Sequence, residues 1–338
     1  MAIRDAIEVL ARGESLSMDV AAKAMSEIMA GEATPAQFGA FVTALRMKGE
    51  TPEEIAGMAR VMREKSLHVH VDGLLVDTCG TGGDRSGTFN VSTTAGLVVA
   101  GSGVKVAKHG NRAMSGASGS ADVLEALGVK IDLSPEGVQR CLEETGFGFM
   151  FAQRFHPSMK FAAAPRREIG VRTVFNILGP LTNPAGATLQ LIGVADPAIA
   201  PKIAEVLRLL GSRHALVVHG EDGMDEVTLS GATRVWELKG GKVAEYRITP
   251  EDLGVQRAPR ETLWAADAKA SAATARAVLD GVKGPARDIV LMNAAAALLA
   301  ADRATTLKVG VALASQSIDG GKAKLVLDTL VRLSQALQ

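Results

Sequence analysis

Three stretches of this chain carry residues whose types and spacing suit phosphate chemistry. The first is Gly80-Thr81-Gly82-Gly83-Asp84, continued by Thr88-Phe89-Asn90-Val91-Ser92-Thr93-Thr94. The apolar run Leu74-Leu75-Val76 precedes it and Ala95 to Ala100 follows. The pattern predicts a strand, a glycine turn and a helix opening on Ser and Thr. Glycines allow a sharp turn and close backbone approach, and a helix start offers free N–H groups and a positive dipole end to an anion. Arg85 stands where a dinucleotide fingerprint needs its third glycine, and the chain has no G-x-x-x-x-G-K-[ST] loop. Nicotinamide cofactors and P-loop kinases are therefore disfavoured. A turn that merely reverses the chain is the alternative.

The second stretch is Lys108-His109-Gly110-Asn111-Arg112, followed by Ala113-Met114-Ser115-Gly116-Ala117-Ser118-Gly119-Ser120-Ala121-Asp122. After a predicted strand it belongs at the carboxyl edge of the sheet, where open α/β sheets bind ligands. Two cations and several hydroxyls there suggest a second phosphate cradle, a solvated polar loop being the alternative. The third stretch is Gly220-Glu221-Asp222-Gly223-Met224-Asp225-Glu226. Adjacent carboxylates at a strand end suit Mg²⁺, which takes a few carboxylates and phosphate oxygens; they equally suit a solvated acidic turn. Arg166 and Arg167 follow Pro165, either as a surface helix start or as a planar donor to a substrate carboxylate. His68 and His70 are expected to be solvated, and no zinc spacing is present.

The elements that must position these residues follow from pattern. Thr34-Pro35-Ala36-Gln37 and Thr51-Pro52-Glu53-Glu54 are capping boxes with Pro at the first helical position. Helical spacing follows each, in Phe38, Phe41, Val42, Leu45 and in Ile55, Met58, Ala59, Met62, so residues up to about 66 predict helices only. Beyond them, Leu74 to Val76, Val104 to Ala107, Phe147 to Phe151, Leu189 to Val194 and Ala215 to Val218 predict strands. Asp122 to Leu127, Pro135 to Thr145 and Ile199 to Leu210 predict helices, each ending near a glycine. That alternation predicts an α/β fold with a mainly parallel sheet flanked by helices. Prolines break it between residues 157 and 186, a segment expected to leave the sheet and pack on the helical lobe. Gly240-Gly241 between two alternating runs predicts a hairpin, and the chain from Asp267 is again helical.

Composition narrows the setting. The 338 residues are 47% hydrophobic but only 4% aromatic, so aliphatic packing must dominate, and Lys plus Arg equals Asp plus Glu at 37 each. A neutral balance gives no overall field for nucleic acid or anionic membranes. Cys79 and Cys141 form no framework, there is no leader-like start, and no apolar run approaches membrane-spanning length, so a cytoplasmic protein is expected.

Taken jointly, Gly80 to Asp84, Asn90 to Thr93, Lys108 to Arg112, Gly119 to Asp122, Asn176-Ile177-Leu178-Gly179-Pro180-Leu181-Thr182-Asn183-Pro184 and Asp225-Glu226 resemble the anthranilate phosphoribosyltransferase family, in order and over nearly the whole chain. The resemblance implies Mg²⁺-dependent transfer of a phosphoribosyl group from 5-phosphoribosyl-1-diphosphate (PRPP) to the amine of anthranilate, in tryptophan synthesis. It implies PRPP contacts at Gly80, Gly83, Asp84, Thr88, Asn90, Val91, Ser92 and Thr93, and at Lys108, His109, Gly110, Asn111, Arg112, Ala113, Met114, Ser115, Gly116 and Ser120. Metal would sit at Ser92, Asp225 and Glu226, and anthranilate at Gly80, Asn111 and Arg166 with His109 nearby. No residue is assigned as a catalytic base. The expected architecture is a homodimer through a helical domain of residues 1–70, completed by about 165–187. Residues 71–164 and 188–338 would form the α/β domain.

Three positions depart from the family pattern: Gly116 where a second serine is usual, Phe155 where one of two histidines is usual, and Ala265-Ala266 where paired glycines are common. They bear on substrate approach more than on reaction type. A pyrimidine nucleoside phosphorylase is the enzymatic rival, needing phosphate and a nucleoside. A nucleic-acid-binding protein using Arg154, Lys160, Arg166, Arg167 and Arg172 is the other, against which the neutral charge and the Asp225-Glu226 pair count.

Overall fold

Helices Ala2–Ala11 (α1), Met18–Ala30 (α2), Pro35–Lys48 (α3) and Pro52–Glu64 (α4) open the computed structural model, which describes residues 2–113 and 118–337. Met114, Ser115 and Gly116 lie outside the described residues. Both expected capping boxes form: Thr34 accepts from the Gln37 N–H and Thr51 from the Glu54 N–H, while Gln37 and Glu54 accept in return from Thr34 and Thr51. Glu54 does more than cap. It is fully buried, takes the Leu16 N–H at 2.8 Å and pairs with Lys48 at 3.0 Å, tying α4 to α3 and to the turn before α2.

Seven strands follow: β1 (Leu75–Gly80), β2 (Lys105–Gly110), β3 (Phe147–Phe151), β4 (Leu189–Gly193), β5 (His214–Gly220), β6 (Thr233–Lys239) and β7 (Lys242–Ile248). They form one sheet in the order β3-β2-β1-β4-β5-β6-β7. The first five are parallel and the last two antiparallel, so the fold is α/β with a mainly parallel sheet. Gly240 and Gly241, both with positive φ (57° and 74°), make the two-residue turn between β6 and β7.

Alternating residues of the central strands enter two cores. Leu189, Leu191, Leu216 and Val218 join one with the helices Val91–Gly101 (α5) and Pro285–Ala300. Ile192, Val194, Ala215 and Val217 join the other, with the helix Ala200–Leu209 and α1 to α4. Ala162, Val174, Phe175, Leu178 and Leu181 of the proline-rich segment share that second core, and Phe175 packs tilted against Phe38 of α3 with ring centroids 5.3 Å apart. The far end of the segment returns to the sheet: Gln190 donates to the Pro180 carbonyl and Asn183 to Asp77.

Two boundaries differ from expectation. β1 runs on from Val76 through Asp77, Thr78 and Cys79 to Gly80, and β2 runs through Lys108 and His109. Polar residues there satisfy one another inside the protein, with Asp77 fully buried and Lys108 2% exposed, so the apolar run ends before the strand does.

Candidate active site

Strands β1, β2, β4 and β5 each end on glycine: Gly80, Gly110, Gly193 and Gly220. Gly80 and Gly193 face each other in the sheet register. A β-carbon on Gly80 would overlap the Asp225 carboxylate, and one on Gly193 would overlap the Asp225 backbone. The two glycines thus let the turn after β5 fold back over the strand ends. Asp225 completes the closure by accepting the Gly82 N–H at 2.8 Å. Gly82 and Gly83 have φ of 64° and 84°, the left-handed backbone that side chains disfavour, and this turns the chain sharply after β1. The turn after β5 is braced by Asp222, which accepts from Thr228 Oγ1 and Ser230 Oγ.

Lys108 reaches this edge from β2. Its Nζ donates to the Thr78 carbonyl and lies 3.3 Å from Ser92 Oγ, in the first turn of α5. Burial lowers its pKa, and the charges of Asp77, Cys79, Glu226 and Asp225 oppose that fall. Asp77 is held beneath it by Asn183 Nδ2 at 2.8 Å and the His109 N–H at 3.3 Å. Asn90 caps α5 by accepting the Thr93 N–H at 3.0 Å, and its own N–H donates to Ser271.

Asp225 and Glu226 keep partial solvent contact yet are ringed by protein. Burial, then the charge of Asp84, pushes Asp225 up to about 7. Burial, then Asp225, raises Glu226 well above the carboxylate range, against the opposing charge of Lys108 and the Ser92 N–H. Ionised together, the two carboxylates would carry more negative charge than their surroundings offset, and Ser92, whose N–H lies against Glu226, stands beside them. This donor set fits a hard divalent cation. Among the described residues no three His, Cys, Asp or Glu side chains form a ready metal cage. A cation held by two carboxylates and a hydroxyl would take its remaining oxygens from substrate or water.

His109 sits on the other face of β2. Its Nδ1 is 3.1 Å from the Gly179 carbonyl, and its ring lies 4.9 Å from that of His156. Burial pushes His109 down to about 3 and His156 to about 4, so both rings are neutral at pH 7. Each has a buried Nε2 that finds no hydrogen-bond partner among the described residues. Sequence reasoning leaves His156 unassigned; its position before Pro157, in a stretch where the family carries histidines, is the available signal. Phe155, where a histidine is usual, is fully buried in the sheet core and does not join the pair.

The remaining candidates divide. Arg112 is committed to acids, pairing with Asp122 at 2.9 Å and with Glu125. Asp122 also accepts the N–H groups of Ala113 and Gly119, at 3.0 and 2.9 Å, and so holds both described ends of the second loop. Ser120 donates to the Asn111 carbonyl. Thr88 is bridged to Trp264, while Phe89 and Gly87 bond to Leu263 and Ala265. The unusual Trp264-Ala265 stretch therefore pins the glycine loop through its backbone. Arg166 stands apart on the bundle side, its guanidinium 5.3 Å from the Phe175 ring and its pKa lowered by burial.

The likeness to known proteins agrees with this arrangement. Family models of the glycosyl transferase family match the chain twice, the helical bundle domain over residues 4–66 and the a/b domain over residues 72–324. An anthranilate phosphoribosyltransferase of Roseiflexus castenholzii is 57% identical over 336 residues, covering 99% of both chains. The crystal structure of the Thermus thermophilus enzyme of that name superposes with a TM-score of 0.93 at 47% identity, covering 98% of this chain and 99% of its own. The Saccharomyces cerevisiae enzyme in complex with PRPP and Mg gives 0.91 at 28% identity, over 99% and 98%. With this likeness running through both domains, the chain belongs to the anthranilate phosphoribosyltransferase family, enzymes of the glycosyl transferase class.

Proposed function

We propose that the enzyme transfers the 5-phosphoribosyl group of PRPP to the amine of anthranilate, releasing diphosphate and giving N-(5-phosphoribosyl)anthranilate for L-tryptophan synthesis. One observation carries the reading. Asp225 closes over Gly80 and Gly82 beside Glu226, Ser92 and Lys108, placing two adjacent carboxyls against a glycine turn and a helix start. Such an edge suits a cation bound together with a diphosphate.

In this reading Ser92, Asp225 and Glu226 would hold Mg²⁺, whose charge would offset that of the departing diphosphate. Gly80, Gly83, Asp84, Thr88, Asn90, Val91 and Thr93 line the diphosphate and sugar end. His109, Gly110, Asn111, Arg112, Ala113 and Ser120 border the second cradle, as do Met114, Ser115 and Gly116, outside the described residues. Lys108 acts through its field at the start of α5, because its ammonium is already held by Thr78 and Ser92. Preorganised charge of this kind needs no reorganisation as the bond at ribose C1 breaks. Arg166, Asn111, Gly80 and His109 receive anthranilate. Its amine is neutral at pH 7, so the neutral His109 has no proton to remove before attack, and no residue is assigned as base.

We further infer a helical domain of residues 1–70 completed by about 165–187, an α/β domain formed by the rest, and a cytoplasmic homodimer joined through the helical domain. No described helix is long and apolar enough to cross a membrane. Two parallel assays test the function. Anthranilate, PRPP and Mg²⁺ should give steady loss of anthranilate fluorescence, while a pyrimidine nucleoside with inorganic phosphate should give no free base. The reverse pattern would favour a phosphorylase.

A further inference from the structure

The two cations that the site motifs bring to the sheet edge are both committed. Lys108 is 2% exposed and bound to Thr78 and Ser92, and Arg112 is paired with Asp122 and Glu125. The Gly82 N–H is likewise given to Asp225. A diphosphate on the glycine turn would thus meet Asp84, Asp225 and Glu226, with the exposed Arg85 at the end of the turn as the α/β framework's cation there.

Arg172 lies between the helix Lys160–Ile169 and the turn Val174–Asn176, in the segment that shares its core with the helical bundle. Its carbonyl accepts from the Arg46 guanidinium of α3, which ties this point of the chain to the bundle. Its side chain crosses to the other side. A β-carbon on Gly83 would overlap Arg172 Nη1, so the exposed guanidinium rests on the backbone of the glycine turn. Among the described residues that guanidinium has no hydrogen bond or ion pair, whereas Arg63 in the same bundle donates to the Leu181 carbonyl. A planar, five-donor cation lying on a glycine turn is suited to two-pronged phosphate contact.

We propose that Arg172 is the bundle's own anion contact: it grips the diphosphate of PRPP on the Gly82–Asp84 turn and thereby couples PRPP binding to docking of the bundle segment on the sheet edge. This rests on the function proposed above. Gly83 is then required for two reasons, its left-handed φ of 84° and the room it leaves for the guanidinium.

The test compares wild type with Arg172→Gln and Arg172→Lys, by calorimetry with inorganic diphosphate and Mg²⁺ and by steady-state kinetics. Loss of a charge-assisted contact predicts about tenfold weaker diphosphate binding and about tenfold higher KM for PRPP in Arg172→Gln. KM for anthranilate and the thermal midpoint should stay at wild-type values, and Arg172→Lys should recover part of the loss. Unchanged diphosphate affinity in Arg172→Gln, or a change confined to KM for anthranilate, overturns the assignment. If wild type transfers nothing to anthranilate yet binds diphosphate through Arg172, the reaction fails and the anion contact stands. If wild type is active and Arg172→Gln binds diphosphate normally, the reverse holds.

Discussion

Lys108 Nζ lies 3.3 Å from Ser92 Oγ, so an ammonium carried on a buried strand reaches the first turn of α5. It is also the counter-charge of Asp77 and Glu226. Lys108→Met should therefore do two things at once. Turnover should fall by about 10²-fold or more, as for loss of a preorganised electrostatic contact. Stability should fall by about 3 kcal/mol, because the enclosed carboxylates lose their partner. Initial rates and urea denaturation measure both; a variant with normal turnover would remove Lys108 from the site.

Gly193→Ala tests whether the sheet edge places the acidic pair. Its β-carbon would overlap the Asp225 backbone, which cannot yield as a flexible side chain can. Displacing that turn should cost about 1–3 kcal/mol of stability, as overpacking does. The Mg²⁺ concentration giving half-maximal rate should rise. A stable variant with unaltered Mg²⁺ response would show that Asp225 is positioned by other means.

Asp122→Ala should loosen the second loop, since one carboxylate holds the N–H groups of both Ala113 and Gly119. Loss of two hydrogen bonds to a charged acceptor predicts a KM for PRPP raised about tenfold or more. KM for anthranilate should move little. Equal change in both constants would point to general unfolding of the edge.

His214→Gln addresses stability away from the site. His214 opens β5, whereas the site lies at the Gly220 end. Its Nδ1 is 3.0 Å from Asp302 and its Nε2 is 2.8 Å from Glu237. The His214 hydrogen bond, against burial, holds Glu237 below its usual range; Asp302 is lowered too, burial being outweighed by His214 and Lys239. Because the folded pKa values are depressed, this stabilisation is present above the unfolded carboxylate range and is lost as pH falls through the folded values. The variant should lose about 2 kcal/mol at pH 7. That deficit should shrink below about pH 4 while turnover at pH 7 is unchanged. A deficit independent of pH would sink the account of this cluster.

Much of the fold is legible from the residues. Capping Thr-Pro pairs, the Gly240-Gly241 turn and the glycine-terminated helices announce themselves because the signal is local. The extent of β1 and β2 is not legible, because Asp77, Thr78 and Lys108 look like loop residues until their partners, remote in sequence, are known. The same holds for Arg112, which the motif offers as a free cation and the fold pairs with Asp122 and Glu125. Arg172 reads in the sequence only as one of several basic residues; its place on Gly83 depends on how a helical segment crosses to the sheet edge, and no spacing in the sequence encodes that.

The most direct test of the central claim is the stoichiometry of one reaction. With PRPP in excess and Mg²⁺ present, fluorescence loss and released diphosphate should rise together, one diphosphate per anthranilate consumed. Chelation of Mg²⁺ should stop both, and Asp225→Asn with Glu226→Gln should shift the Mg²⁺ dependence to higher concentration. Diphosphate release without anthranilate consumption, or an Mg²⁺ dependence untouched by the double variant, would contradict the account.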